Sequence, residues 1–192
     1  KTLRRSYDTA SGKSAIHMVS AWATANHISL GQVVTDAKSN EITAIPKLLE
    51  LLEISGALVT IDAMGCQTQI AAQIVELKGD FCLAVKGNQR TLHNGIMDFF
   101  EEQLAADFAE TTVRRHATTE HDHGRDEERM YFICPAPADL PDRDRWRGLK
   151  AIGMAITYVT KQGRETSDVH YYILSKKLSA RRFGATARGH WS

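Results

Sequence analysis

The chain has 192 residues, 43% of them hydrophobic and 24% charged, with 24 Lys+Arg against 23 Asp+Glu. That length supports one soluble globular domain with a sizeable core and is short for two. No stretch approaches the roughly 20 apolar residues that span a bilayer, and no charged-then-apolar leader opens the chain, which argues against membrane proteins and exported precursors.

Ile16 to Trp22 and Ile28 to Val34 alternate with period two around the turn residues Thr24 to His27, so a hairpin is predicted. Lys1 to Arg5 read as the tail of an earlier strand, with Asp8 to Gly12 as its connection. From Ile42 the period changes to three and four, through Ile45, Leu48, Leu49 and Leu52. Because Pro46 is tolerable only in a first turn, this helix is predicted to start near Thr43 as cap and to end at Ser55-Gly56. Ala57 to Ile61 reads as a central strand covered on both faces. A helix from about Cys66 to Lys78 follows, closed by Gly79. Phe81 to Val85 is a second buried strand, and Leu92, Ile96, Phe99 and Phe100 mark a third helix to about Leu104. From about 110 to 175 the chain returns to strands, best seen at Arg129 to Cys134, Ile152 to Thr160 and Val169 to Leu174, with Gly163 turning the last hairpin. Pro135 to Leu149 is mostly loop. Phe183, Ala187 and Trp191 fit a final helix from Ser179 onward.

The near-neutral total hides two basic ends. Residues 1–13 carry four basic groups and one acidic, residues 14–160 carry 13 and 20, and residues 161–192 carry seven and two. Cys66, Cys82 and Cys134 are widely spaced without any C-x-x-C pair, so they read as reduced apolar residues of a cytoplasmic protein rather than zinc ligands. The chain does not begin with Met and stops at His190-Trp191-Ser192 without a helix-stop signal, which reads as part of something longer.

Asp62 is the first candidate for chemistry. A carboxylate directly after five apolar residues stands at the C-terminal end of a strand, the edge where open α/β sheets bind ligands. The alternative is that Asp62 caps the helix near Cys66 or bonds the adjacent loop. One carboxylate does not hold a catalytic divalent ion well, since Mg²⁺ takes octahedral oxygen ligation from several groups. Asp36 also follows a strand but reads as a turn former. Lys86-Gly87-Asn88-Gln89 emerges from the second buried strand at the same edge, where its Lys and amides could hold a phosphate; alternatively it is a solvated turn. His121-Asp122-His123 lacks the further ligands zinc needs and lies in a mixed-charge run. No nucleophile elbow, P-loop, dinucleotide fingerprint or H-E-x-x-H motif is present, which leaves metal-carboxylate phosphoryl chemistry as the route the residues suggest.

Several motifs occur in a telling order: Lys1-Thr2-Leu3-Arg4-Arg5-Ser6, Gly31-Gln32-Val33, Lys38 to Pro46, Thr60-Ile61-Asp62-Ala63-Met64-Gly65-Cys66-Gln67, Lys86 to Gln89, His123-Gly124-Arg125 and Arg188-Gly189-His190-Trp191. Together they resemble the DDE transposases of bacterial insertion sequences of the H-repeat-associated type, across essentially the whole chain. The resemblance implies an α/β, RNase H-like mixed sheet of about five strands with flanking helices, plus a β-rich insertion at about 110–175 before the C-terminal helix, all within one catalytic core over residues 1–192.

It also implies a site. The first catalytic Asp would fall just before Lys1, the second matches Asp62, and the third, a Glu, would follow His190-Trp191 beyond Ser192. Three such carboxylates would hold two Mg²⁺ or Mn²⁺ ions roughly 4 Å apart for an in-line displacement at phosphorus. The residues present would then hold one acid of three, leaving this piece inactive alone, with the metal bound only by the complete site. DNA, as transposon ends and target, is the implied partner, with a possible homodimer. Lys1, Arg4, Arg5, Lys86, Asn88, Gln89, His123, Arg125, Arg188 and His190 are the expected DNA contacts, positioning phosphates without reading sequence. Two other readings stand beside this one: a non-catalytic DNA-binding remnant of a mobile element, and an RNase H-like metal-dependent nuclease.

Overall fold

The structure, a computed structural model, describes residues 17–24, 26–35, 41–109, 111–122 and 124–189. Strands β1 (His17–Ala23) and β2 (Ile28–Thr35) pair antiparallel as the predicted hairpin and form a two-stranded sheet of their own. This hairpin packs on helix α1 (Glu41–Glu50), where Gly31 lets Leu48 and Leu52 come close to the strand. The predicted tail of an earlier strand at Lys1 to Arg5 lies outside the described residues.

The main sheet has six strands in the order β3 (Leu58–Ile61), β4 (Asp80–Val85), β8 (Arg164–Leu174), β7 (Ala151–Lys161), β6 (Arg125–Pro135) and β5 (Arg114–Asp122). β3 and β4 are parallel, joined through α2 (Thr68–Glu76), and every other neighbouring pair is antiparallel. The mixed α/β class that the sequence predicts is therefore present. The main sheet has six strands where about five are expected, because β8, from the β-rich segment, pairs directly with β4 and makes the sheet continuous. β5 was hard to single out since its sequence, RRHATTEHD, is an edge strand with no apolar face.

The alternation of β4 organises the interior. Phe81, Leu83 and Val85 join one cluster with Ile70 and Ile74 of α2 and with Leu92, Ile96 and Phe100 of α3 (Arg90–Ala105). Cys82 and Ala84 face the other way, into a cluster with Phe183 and Ala187 of α4 (Ala180–Gly189). Helices thus cover the sheet on both faces, as a strand with no polar position requires. The α4 side is lined by small residues, Cys82, Ala84, Ala151, Gly153 and Ala155, so a helix can approach closely. Phe183 fills the space: a Cβ on Gly153 would lie 2.5 Å from its ring, which Tyr131 and Tyr172 hold edge-on.

Helix limits shift where local chemistry competes with periodicity. α1 starts at Glu41 rather than near Thr43, which places Pro46 in the second turn, where it removes the donor for the Ile42 carbonyl. It also stops at Glu50 instead of Ser55-Gly56, because the amides of Leu51 and Leu52 turn to carbonyls three residues back. α2 is shorter than predicted at both ends. Its stop uses Lys78 at φ 59° as the left-handed residue, while the Gly79 amide donates to Ile74.

Where β4 begins, a polar knot ties it to β8. The Ser175 hydroxyl accepts from the Phe81 amide at 2.8 Å and donates to Asp80 at 3.0 Å, and Lys176 Nζ donates to Asp80 at 2.8 Å. Burial works against the ionised Asp80 carboxylate, but the hydrogen bonds from Lys176 and Ser175 and the lysine charge prevail and hold its pKa below the usual range. The three cysteines are buried and free; burial pushes the Cys66 and Cys134 thiols up to about 12 and raises Cys82 as well, so they serve as small apolar residues. Among the described residues no helix is long and apolar enough to cross a membrane.

Two predictions follow from this packing. Gly153→Ala forces a methyl against a ring that cannot swing aside and should lower stability by about 1–3 kcal/mol, read as a lower midpoint in urea unfolding. Because the folded-state pKa of Asp80 is depressed, its contribution is fully present above the unfolded-chain value of about 3.9 and is lost as pH falls through the folded value. Asp80→Asn should accordingly be less stable than the parent at pH 7, with the difference shrinking below pH 4 in parallel unfolding curves.

Candidate active site

Asp62 directly follows the last residue of β3, and Lys86 directly follows the last residue of β4, so the two emerge side by side at one end of the parallel pair. Among the described residues β3 has β4 as its only strand neighbour. The Asp62 backbone is extended, and its Oδ1 accepts from the amides of Met64 at 3.1 Å and Gly65 at 3.4 Å, capping a short 3₁₀ turn, Ala63–Gly65. The capping alternative read from the sequence is thus realised at this turn rather than at α2. Capping fixes the direction of the carboxylate, and among the described residues Oδ2 takes no hydrogen bond, so the side chain still offers an oxygen outward. Gly65 is required by packing: a Cβ there would lie 2.3 Å from Ile61 and 2.8 Å from Ile45.

The loop after Asp62 is stapled from the second motif. Asn88 Nδ2 donates to the Ala63 carbonyl at 2.6 Å, and Gln89 Nε2 donates to the Cys66 carbonyl at 3.0 Å. These two amides, expected as DNA contacts, face the loop and hold its shape. Lys86 is exposed and Gly87 opens the 3₁₀ turn Gly87–Gln89. Asp62, Lys86, Asn88 and Gln89 are therefore brought together as one edge.

The other expected contacts divide. Lys1, Arg4, Arg5, His123 and His190 lie outside the described residues. Arg125 and Arg188 belong to a different part of the molecule. Val85 pairs with Tyr171 and Tyr171 with Met154, so β7 runs seven residues, about 23 Å, past the end of β4. Arg125 lies near the far end of this projecting sheet, with Nη2 2.7 Å from Glu127. Arg188, in the last turn of α4, binds Glu120 of β5 through both guanidinium nitrogens, with Nη2 to Oε2 at 2.7 Å. A concavity of about 580 Å³ opens between α4 and the strands here, lined among others by Arg125, Arg129, Arg188, Asp168 and His170. Sequence reasoning missed Glu120, since its partner Arg188 lies 68 residues away and leaves no spacing signal, and passed over Glu127 and Arg129 as members of a mixed-charge run. His121 hydrogen-bonds its cross-strand neighbour Asp126, and that bond raises its pKa.

A divalent ion needs more than this edge supplies. Among the described residues no three His, Cys, Asp or Glu side chains converge on one point. Asp62 has the right donor, a hard oxygen, but a single carboxylate is one ligand and not a site.

Comparison with known proteins adds the family. The family model described as "Transposase DDE domain" matches residues 1–192. "Putative transposase YncI" of Escherichia coli O157:H7 is 43% identical over all of this chain and 49% of its own length. "H repeat-associated putative transposase YhhI" of Escherichia coli strain K12 is 41% identical, again over all of this chain and 51% of its own. "H repeat-associated putative transposase YbfD" of the same strain is 44% identical over 74% of this chain and 55% of its own. The chain spans about half the length of the first two of these relatives. With a family match along its entire length and an Asp-bearing strand edge in a mixed α/β sheet, the chain belongs to the transposase DDE domain family.

Proposed function

We propose that this chain is the catalytic-core portion of a DNA transposase that cleaves and joins strands by metal-dependent phosphoryl transfer, and that Asp62 supplies one of its acids. The observation that carries this reading is Asp62 itself: a capped, directionally fixed carboxylate beyond β3, beside Lys86 and inside the motif Thr60 to Gln67. The other two acids are expected outside residues 1–192, so the chain alone is expected to be inactive, with Mg²⁺ or Mn²⁺ held only by the full set. Residues 1–192 act as one core, in which the strands from about 110 to 175 are the inserted β-rich part.

Asn88 and Gln89 serve by fixing the loop that carries Asp62, while Lys86 contacts DNA phosphates; Arg125, expected as a contact, is already paired with Glu127. A fixed side chain is what such chemistry needs, because reacting groups must be held close to their productive geometry. DNA substrates enter through nonspecific charge contacts, with base readout left to other parts of the longer protein.

The catalytic assignment is tested in a chain extended to the length of its relatives. Wild type should nick its transposon ends when Mg²⁺ or Mn²⁺ is present, and Asp62→Asn should reduce that rate at least a hundredfold, as loss of an essential charged group typically does. Unchanged nicking in Asp62→Asn would remove Asp62 from the site. The DNA-contact assignment is read separately from the salt dependence of binding. Lys86→Ala should weaken binding to all duplexes alike and flatten the log–log salt slope by about 0.9, the value for one phosphate contact; an unaltered slope would mean that Lys86 touches no phosphate.

A further inference from the structure

We propose that Glu120 is a positioning residue, which holds the last turn of α4 on the projecting β-sheet by gripping Arg188, and that Arg188 therefore acts as a strut rather than as a DNA contact. The inference rests on the transposase reading for its functional consequence only. Its geometry stands independently.

α4 is a weak helix by composition. Its sequence, ARRFGATARG, has ten residues with two glycines, and its buried positions are Ala180, Phe183, Gly184 and Ala187. Phe183 and Gly184 anchor the middle, at Gly153 and Tyr131. The final turn has only the Ala187 methyl in the core. A helix this short does not sustain its own end in water, so the end depends on tertiary contacts.

Arg188 provides one, beside the close approach of Gly189 to Thr24. Both guanidinium nitrogens reach both oxygens of Glu120, the forked geometry that fixes orientation as well as distance. Glu120 is in turn flanked by Arg129, 3.6 Å away, which binds Glu127, which binds Arg125. The result is a row of alternating charges from the end of β6 through β5 to α4. Each arginine in this row faces a carboxylate, so a phosphate arriving here would have to displace one. The hydrogen bond from Arg188 also holds the Glu120 carboxyl below its ordinary pKa, in keeping with a charged pair.

Direction gives the strut its use. β5 and β7 run the same way as β3 and β4, and α4 rises along them from Gly153 to Glu120. Its C-terminal end therefore points toward the end of the sheet where Asp62 emerges. Any residue following α4 inherits its placement from this turn.

The test compares Glu120→Gln, Arg188→Met and the double variant with wild type. In the 192-residue chain, hydrogen exchange at amides 186–189 should accelerate roughly two- to fivefold in each single variant, the range expected for an ion pair this exposed, while β7 and β8 amides keep their wild-type rates. The double variant should match the singles, because the two groups act as one unit. In the extended chain, Glu120→Gln should raise the Mg²⁺ concentration for half-maximal nicking with no change in Tm, and Arg188→Lys should fall in between. Wild-type exchange at 186–189 in Glu120→Gln, or effects that add in the double variant, would overturn the strut. DNA binding that loses salt dependence in Arg188→Met but not in Glu120→Gln would also overturn it. Absence of nicking in extended wild type would instead count against the transposase reading and leave the exchange result to decide the strut.

Discussion

Strand β4 is the element on which everything else rests. It is buried on both faces, sends large side chains to α2 and α3 and small ones to α4, and is hydrogen-bonded along both edges. Through one edge it carries β3 and Asp62; through the other it carries β8 and the whole meander back to β5. A parallel pair is joined to an antiparallel meander at this one strand, so the edge bearing Asp62 and the projecting sheet cannot shift independently. The knot of Asp80, Ser175 and Lys176 secures that junction at its base, where the buried Phe81 amide meets a side-chain acceptor.

The division of labour between the two faces follows from side-chain size. The α2 and α3 side packs Phe, Ile and Leu at ordinary interior density. On the α4 side, Ala84, Ala151, Gly153 and Ala155 leave room for the one large apolar side chain of α4, Phe183, between Tyr131 and Tyr172. Small residues on the sheet allow a helix with few apolar positions to bury a useful area. Phe183 and Gly184 fasten the middle of α4, and the proposed grip of Glu120 on Arg188 would act on its far end.

Much of this was legible in the residues, and the limits are physical. Ala57 to Ile61 and Phe81 to Val85 announced themselves because strands covered on both faces have no polar positions, and Asp62 stood out as the carboxylate ending such a run. β5 did not, since an edge strand is defined by its partner and not by its own pattern. Periodicity placed α1 but could not tell that Pro46 would be accommodated in a second turn. At the site, the Asp62 cap was readable as an alternative from local spacing, whereas the Asn88 and Gln89 staples, across more than 20 residues, were not. Composition pointed to Arg188 as a basic surface group; only the fold reveals the carboxylate opposite it.

The projecting hairpins have a consequence for how such a protein can vary. β6, β7 and β8 are paired without interruption over eleven residues each, so inserting one residue within a strand would turn every following side chain to the opposite face. The row of Arg125, Glu127 and Arg129 would exchange places with Asp126 and Glu128. At the β7–β8 tip the situation reverses: Gln162 and Gly163, both with positive φ, close β7 on β8 well away from β4. Length added there leaves the register below untouched. The molecule thus offers evolution an extendable fingertip at the β7–β8 turn on an otherwise fixed frame, and new sequence can be tried there without disturbing where Asp62 stands.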